Sequence, residues 1–258
     1  MPDIFELSRP DDYLERLAAS DLGRGWKALA TAELDLHHGH DVLDLGCGPG
    51  ADLPTYAAAV GPSGSVLGVD HDAGAVARAR ALVRHLATVR VAEADVHRLG
   101  LADGSVDRAH SDRVLQHVAD PGLVLAETFR ALRPGGRAVL AEPDWGTLVV
   151  DGPDAATSDA YGRFVVEQVV RNGRIGRRLA GLAERTGFAV ERVVPVTAVF
   201  RDVHEADQVL GLARVARRAV EAGYLHERAE ARWTEHLTTQ PFFASVTLFV
   251  VVADRPSA

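Results

Sequence analysis

A nine-residue stretch, residues 42–50, combines three features that a ligand site would need. An apolar segment typical of a buried strand runs into a turn that carries Gly46, Gly48 and Gly50, and Asp44 stands just before that turn. Glycines let the backbone approach a ligand closely and adopt positive φ angles. The N–H groups of a following helix favour polar or anionic groups. The negative charge of Asp44, however, would repel a pyrophosphate and attract a cation. The stretch predicts a ligand with a cationic, amino-acid-like end.

The spacing of the three glycines separates this turn from two common nucleotide-binding loops. Gly-x-Gly-x-Gly departs from the Gly-x-Gly-x-x-Gly fingerprint of dinucleotide-binding folds. No Gly-Lys-Ser/Thr follows, which excludes a P-loop. An NAD(P)-dependent oxidoreductase on the same general layout stays as an alternative, although no second nucleotide-binding half supports it.

Two further carboxylates follow predicted strands and extend this site. Asp70 lies 20 residues beyond Gly50 and could accept two hydrogen bonds from a ribose diol, or could cap the next helix. Asp95 could accept a hydrogen bond from an exocyclic adenine amine beside the backbone of Val96, or could be a solvated loop acid. Together with the glycine turn, these positions predict an adenosyl ligand.

Alternating strands and helices must position these groups. The predicted strands are residues 41–45, 65–69, 89–92, 106–110 and 137–142, with helices between them at about 51–60, 72–86 and 122–132. This alternation predicts a parallel sheet covered on both faces, with ligands at the carboxyl ends of its strands. The glycine turn, Asp70, Asp95, Ser111 and Glu142 all fall at such ends.

The pattern changes before and after this region. Residues 11–36 are predicted to be helical, with a break around Gly23 and Gly25. Residues 143–154 are predicted to be a loop. The segments beyond it are predicted as helices at 155–171, 176–186, 204–223 and 225–239, and as strands at 188–200 and 243–253.

Composition excludes several classes of partner. The net charge of −8 argues against nucleic acid, and no apolar run is long enough to span a membrane. The single cysteine, Cys47, allows no intrachain disulfide, and the eleven scattered histidines do not predict a metal site. A cytoplasmic protein is therefore expected. Apolar residues at 209–220 could pack inward or form a homodimer face.

The motifs together resemble the class I S-adenosylmethionine-dependent methyltransferases, in particular the small-molecule enzymes similar to the ubiquinone/menaquinone-biosynthesis type. The resemblance covers residues 41–142 and is carried by the glycine turn, Gly68-Val69-Asp70, Ala94-Asp95, Leu115-Gln116-His117-Val118 and Leu132-Arg133-Pro134-Gly135-Gly136. It implies an α/β, Rossmann-like, seven-stranded and mostly parallel sheet with an antiparallel last strand. It also implies methyl transfer to O, N or C of a small molecule, in specialised or cofactor metabolism.

The same resemblance implies how the chain is divided. A single domain, residues 1–258, would consist of an N-terminal helical cap (1–40), a cofactor-binding core (41–142) and a substrate side (143–258). The helical insertion at about 204–239 would lie before the last strand as a cap over the substrate, or would merely pack on the sheet.

The cofactor that the resemblance implies is S-adenosyl-L-methionine. Gly46 and Gly48 would contact its amino-acid part, Asp70 the ribose, and His71 the side of the adenine, while Asp95 and Val96 would hold the adenine edge. The methionine end would meet Ser111 and Arg113, and Tyr13 could reach the carboxylate. The full predicted cofactor set is Tyr13, Asp44, Gly46, Gly48, Gly50, Asp70, His71, Asp95, Val96, Ser111 and Arg113.

Catalytic and substrate residues are harder to predict, because an in-line methyl transfer depends mainly on positioning. His117 and Asp144 could act as general bases, although His117 could equally be a packed core histidine. Trp145 could stack on the substrate or be buried under the cap. Arg171 and Arg174 could bind a substrate carboxylate or phosphate, or be solvated. A cofactor-binding protein without methyl transfer is the remaining alternative.

Overall fold

The computed structural model describes residues 21–257 of the chain. The prediction for Tyr13, and the first part of the predicted helix at 11–36, lie outside the described residues. From Asp21 to Glu33 the chain forms one continuous helix, α1, so the predicted break around Gly23 and Gly25 is wrong.

Seven strands form one sheet in the order β3-β2-β1-β4-β5-β7-β6. The strands are β1 (Asp41–Leu45), β2 (Ser65–Asp70), β3 (Val89–Glu93), β4 (Val106–Asp112), β5 (Leu132–Val150), β6 (Ala189–Phe200) and β7 (Ala244–Asp254). The first five are parallel neighbours, and β7 inserts between β5 and β6, antiparallel to both. The predicted mostly parallel sheet with an antiparallel last strand is confirmed.

The remaining helices connect these strands and cover the sheet. They are α2 (Leu53–Val60), α3 (Ala73–Val83), α4 (Pro121–Ala131), α5 (Ala155–Phe164), α6 (Ile175–Thr186), α7 (Val203–Leu210), α8 (Leu212–Glu221) and α9 (Glu227–Thr239). A π-helical turn, Val165–Val169, continues α5, so the helical segment ends two residues before the predicted end at 171. None of the helices within residues 21–257 is long and apolar enough to cross a membrane.

Side-chain alternation along β1 decides which residues face the two layers of helices. Val42 packs in the core that contains Trp26 of α1 and Tyr56 of α2. Leu43 belongs to the opposite core, under α4 and α6. Because successive side chains of a strand point to opposite faces, Asp44 faces the same side as Val42. A buried carboxylate is thereby placed directly under the glycine turn.

Strand β5 is much longer than predicted. Residues 143–150, predicted as part of a loop, continue β5 and pair with β7: Pro143 lies opposite Leu248, and after an irregularity Val149 lies opposite Ser245. The pairing of β5 with β4 ends near Ala141. One edge of β5 is therefore free at Pro143, which tolerates a residue without an N–H. The long apolar β7 supplies the partner that a local view of the sequence could not show.

The insertion before β7 consists of three helices where two were predicted. Gly211, at φ +61°, separates α7 from α8. The insertion shares a core with α5 and with the ends of β5, β6 and β7, in which Trp233 stacks on Tyr161 with ring centroids 4.6 Å apart. Leu212 and Val215 are fully buried in this core. Of the two alternatives for this apolar set, the structure shows inward packing.

Candidate functional site

The glycine turn leaves β1 in a conformation that only glycine adopts easily. Gly46, Gly48 and Gly50 have φ values of +63°, +53° and +85°. A Cβ atom on Gly46 would lie 2.4 Å from Cγ2 of Val114, so this position also has no room for a side chain. The turn thus exposes its backbone and lies directly against the segment that follows β4.

Asp70 joins this turn to the end of β2. Its Oδ2 accepts a hydrogen bond from the N–H of Gly48 at 2.8 Å, and its Oδ1 accepts one from the N–H of Asp72 at 2.9 Å. A carboxylate can accept about four hydrogen bonds, so acceptor capacity remains for a ribose diol. The side chain of His71 is exposed, with Nδ1 3.4 Å from Oδ1 of Asp70. The N-cap of α3 is Asp72, whose side chain accepts a hydrogen bond from the N–H of Gly74 at 2.7 Å, so the alternative prediction that Asp70 caps this helix is wrong.

The end of β3 lies against the same place. The N–H of Ala94 donates to the carbonyl oxygen of Asp70 at 2.9 Å, which fixes Asp95 one residue further on. The exposed Asp95 carboxylate accepts hydrogen bonds from the backbone and ring of His97, which lower its pKa. The Val96 side chain is buried in the core. The predicted contact of Val96 with an adenine edge would therefore have to use its backbone.

Asp44 does not stand alone beneath the turn. Nδ1 of His110, on the neighbouring β4, lies 3.0 Å from Oδ1 of Asp44 and 3.0 Å from the hydroxyl of Tyr56. Burial raises the pKa of Asp44. Burial alone would lower the pKa of His110, but the hydrogen bond and charge of Asp44 raise it. This buried triad was missed from the sequence, because it depends on the pairing of β1 with β4.

The end of β4 completes the near side of the site. Ser111 is fully buried, opposite Leu45 of β1, and its Oγ has no hydrogen-bond partner among residues 21–257. Arg113 has a positive φ of +58°, and its N–H donates to the carbonyl oxygen of Ala141 at 2.8 Å. A buried hydroxyl without a partner at a ligand edge fits a cofactor contact.

Ion pairs that were not predicted from the sequence hold helix α1 against this edge of the sheet. Lys27 forms ion pairs with Asp52 and with Asp112, the latter at 3.3 Å. The indole N–H of Trp26 donates to Asp112 at 3.3 Å, and the guanidinium of Arg113 lies 5.3 Å from the centre of the Trp26 ring. Lys27 is the only lysine in the chain, which is the one signal that could have drawn attention to it.

The charges of these ion pairs shift the pKa of Asp112 and the pKa of Lys27. Burial opposes the charged form of Asp112, but Arg113 and Lys27 hold the pKa of Asp112 well below its usual range. Burial also opposes the charged form of Lys27, and Asp112 and Asp52 nevertheless raise the pKa of Lys27. Asp112 and Lys27 are therefore both ionised at neutral pH.

Glu142 holds the segment after β4 from the far side. Its carboxylate accepts hydrogen bonds from the backbone N–H groups of Val114 at 2.7 Å, Leu115 at 2.5 Å and Gln116 at 3.3 Å. Complete burial raises the pKa of Glu142 to about 8, against the effect of these donors. Glu142 thus shapes the wall that carries Val114 and His117.

Asp144 is not placed as an accessible base. Its side chain is fully buried in β5, pairs with the guanidinium of Arg177 (Nη2 at 3.0 Å) and accepts a hydrogen bond from the N–H of Gly146 at 2.9 Å. The predicted loop that would have exposed it is strand. This geometry favours a structural role for Asp144 over the predicted catalytic one.

Trp145 of β5 contacts the segment after β4, and His117 belongs to that segment. Trp145 is buried, and its indole N–H donates to Oε1 of Gln116 at 2.8 Å, which favours the alternative of a tryptophan packed under the insertion. His117 is exposed, so it is not the packed core histidine of the alternative prediction. Of the two predicted bases, His117 is the one that a substrate could reach.

Arg171 and Arg174 are not brought to the glycine turn. They lie at a separate cleft of about 590 Å³ between the N-terminal ends of α4 and α6. The turn that carries them is nevertheless fixed to the segment after β4, because the side-chain amide of Asn172 donates to the carbonyl oxygens of Leu115 and Val118, both at 2.8 Å.

Neither a metal site nor a reactive thiol emerges from residues 21–257. No group of three or more histidine, cysteine, aspartate or glutamate side chains in this part of the chain could hold a metal ion. Burial raises the pKa of the Cys47 thiol, which disfavours the thiolate that a nucleophile needs. The site is therefore built from a glycine cradle and carboxylates at strand ends.

Comparison with known proteins gives the same picture. A methyltransferase domain family matches residues 43–140. A Streptomyces fradiae protein, known only as an uncharacterized 37.1 kDa protein in transposon TN4556, is 54% identical over 252 residues, which cover 97% of this chain and 73% of that protein. A Mycolicibacterium smegmatis protein named as a probable S-adenosylmethionine-dependent methyltransferase is 31% identical over 201 residues, covering 77% of this chain and 69% of that protein.

A solved structure shares the fold. The S-adenosylmethionine-dependent methyltransferase from Mesorhizobium loti aligns with a TM-score of 0.56 at 23% identity, over 88% of this chain and 96% of that one. The chain belongs to the class I S-adenosylmethionine-dependent methyltransferases.

Proposed function

We propose that this enzyme transfers a methyl group from S-adenosyl-L-methionine to O, N or C of a small molecule, in specialised or cofactor metabolism. The observation that carries the proposal is the double hydrogen bond of Asp70, which fixes one carboxylate between the glycine turn and α3 while leaving acceptor capacity. The cofactor supplies an activated methyl group. The protein's contribution is to hold the two reactants in line and to exclude water.

The proposed cofactor contacts follow the strand ends. The backbone at Gly46 and Gly48 would face the amino-acid part, and Asp70 the ribose. The exposed His71 ring would flank the adenine, whose edge would meet Asp95 and the backbone of Val96. Ser111 and Arg113 would face the methionine end, where the unpartnered Ser111 hydroxyl supports the assignment.

Asp44 would act through its charge. It lies under the turn with His110 as its buried partner, which fixes the orientation of the carboxylate. A carboxylate so held favours the ammonium end of the cofactor over a phosphate, in agreement with the glycine spacing. We propose that His110 and Tyr56 are positioning residues for this contact.

The substrate side would be formed by the segment after β4, with the insertion α7–α9 as its cap. His117 is our proposed general base for acceptors that must lose a proton, because it is exposed and lies on this segment. Arg171 and Arg174 are kept as proposed substrate contacts. If His117→Ala kept full turnover on an identified acceptor, the proposed base role would be excluded.

Ligand-induced thermal stabilisation tests the proposed cofactor site. We expect S-adenosylhomocysteine to raise the melting temperature, whereas NAD and NADP leave it unchanged, because only the former has a cationic amino-acid end for Asp44. A ligand at 100 times its Kd stabilises by about 2.7 kcal/mol, which is easily measured. Stabilisation by NAD or NADP alone would contradict the proposal and support the oxidoreductase hypothesis.

Three further statements are proposals of the same kind. The chain forms a single domain with the three parts expected from the sequence, acts on a small molecule without nucleic acid or membrane as partner, and works in the cytoplasm. A homodimer would have to use a surface other than the buried residues of α8. Light scattering coupled to gel filtration would test the oligomeric state.

A further inference from the structure

The cleft between α4 and α6 carries an unusual concentration of positive charge for a chain of net charge −8. Four of the residues that line it are arginines: Arg171, Arg174, Arg178 and Arg185. Within residues 21–257, no hydrogen bond or ion pair involves any of these four side chains. Neighbouring arginines of the same fold, such as Arg177 and Arg130, are paired with carboxylates.

Among residues 21–257, one carboxylate lines the cleft, and it is already engaged. Asp120 caps α4, and its Oδ1 accepts hydrogen bonds from the N–H groups of Gly122 at 2.8 Å and Leu123 at 3.2 Å. Four guanidinium groups around a shared volume repel one another. An anion of charge −2 that enters the cleft would relieve this repulsion and accept several charge-assisted hydrogen bonds.

Two of the arginines, Arg178 and Arg185, lie in α6, and the other two, Arg171 and Arg174, lie in the turn that leads into it. Arg174, Arg178 and Arg185 are separated by four and seven residues, so they recur on one face of the helix. Arg171, Arg174 and Arg178 lie within about two turns at its N-terminal end, where the helix dipole also favours an anion. Arg185 lies about 10 Å beyond Arg178 along the helix axis, at 1.5 Å per residue. The positive charge is therefore greatest at the end of the cleft beside the N-terminus of α6.

Apolar side chains line the cleft between its charged ends. Ile175, Leu182 and Val166 belong to its wall. The volume of about 590 Å³ lies within the range of sites for organic ligands and far exceeds what one inorganic ion fills. A molecule with an anionic group beside the N-terminus of α6 and an apolar body over Leu182 would match both the arginines and the apolar wall.

We infer that this cleft binds a phosphorylated organic small molecule, its phosphate held by Arg171, Arg174 and Arg178. The turn of Arg171 and Arg174 is fixed through Asn172 to the segment that carries His117. We therefore assign the molecule to the methyl acceptor, an assignment that rests on the proposed function. The inference makes Arg178 a specificity-determining residue, in addition to the two arginines expected from the sequence.

Calorimetric titration of the full chain with hexyl phosphate and with inorganic phosphate, at 0.15 M salt, tests the inference. We expect hexyl phosphate to bind, and to bind roughly tenfold more tightly than inorganic phosphate, because burying two methylene groups suffices for that factor. Absence of hexyl phosphate binding would overturn the inference. Equal binding of the two probes would overturn its organic part and leave a site for free phosphate.

Two variants locate the binding. Arg178→Gln and Arg174→Gln should each weaken hexyl phosphate binding roughly tenfold through loss of a charged donor, whereas Arg217→Gln, an exposed arginine of α8, should change it less than twofold. An equal effect of all three would mean non-specific charge attraction and would refute the site. Titration of the same proteins with S-adenosylhomocysteine separates the two claims: its failure would refute the cofactor site, and failure of hexyl phosphate alone would refute the cleft.

Discussion

At the scale of single residues, the site depends on carboxylates that differ only in their surroundings. Asp70 is held by two backbone N–H groups, Asp95 is exposed, and Asp112 is buried between two cations. Glu142 is buried with three N–H donors and no cation in hydrogen-bond contact. Identical chemistry therefore yields a proposed ligand acceptor, an exposed acid, a structural anchor and a group whose pKa lies near neutral pH.

Glu142 leads to a prediction about pH. Its folded pKa of about 8 lies above the unfolded value of 4.5, so the folded state binds the extra proton between these limits. The contribution of Glu142 to stability is thus present below pH 4.5 and falls as pH rises to 8, by on the order of 4 kcal/mol. Glu142→Gln should remove this slope.

Urea denaturation between pH 5 and pH 8 measures the effect of Glu142. The quantity to compare is the difference in unfolding free energy between the wild type and Glu142→Gln, since other titrating groups cancel in it. A difference independent of pH would show that Glu142 does not change its protonation in this range. Glu127→Gln is a suitable second variant. The hydrogen bond from Arg130 lowers the pKa of Glu127, so this variant should show no such dependence of stability on pH above pH 5.

At the scale of elements, α1 is held to the sheet by contacts that are mostly electrostatic at its middle. Lys27→Met would leave the buried Asp112 with Arg113 as its remaining cation, and we expect a loss of about 2 kcal/mol in stability. The loss should be local, because the ion pairs that Lys27 forms within residues 21–257 are with Asp52 and Asp112. Hydrogen exchange should accelerate in α1 while β1 stays protected.

A conservative variant separates charge from packing at this position. Lys27→Arg keeps the charge and should retain most of the protection of α1. If α1 exchanged as slowly in Lys27→Met as in the wild type, the ion pairs of Lys27 would contribute nothing. Apolar packing, including that of Trp26, would then hold the helix.

The elements also show where sequence interpretation succeeds and where it stops. The glycine turn, Asp70 and the cap of α3 by Asp72 are local, since turn residues and caps act within a few positions. The length of β5 and the His110 partner of Asp44 depend on strand pairing across the sheet. The burial of Asp144 follows from the same pairing, so its predicted catalytic role was argued from a loop that does not exist.

At the scale of the whole molecule, two apolar cores sandwich the sheet and a third lies under the insertion. Trp233 is the largest fully buried side chain of the third core, and it stacks on Tyr161. Trp233→Ala should cost about 3–5 kcal/mol, the usual loss for a large core aromatic residue. Differential scanning calorimetry measures this loss.

The insertion offers a control for Trp233. Arg228→Ala, at an exposed position of the same helix α9, should change stability by less than about 0.5 kcal/mol. A loss for Trp233→Ala as small as that of Arg228→Ala would contradict the buried core described for residues 203–239. Because the glycine turn lies outside this core, both variants should still bind S-adenosylhomocysteine.

The central claim is that Asp70 and the glycine turn hold the cofactor, and calorimetric titration with S-adenosylhomocysteine tests it most directly. The wild type should bind, Asp70→Asn should bind at least roughly tenfold more weakly because an amide cannot accept at both positions, and Asp159→Asn, an exposed carboxylate of α5, should match the wild type. Equal affinity of Asp70→Asn and the wild type would contradict the account.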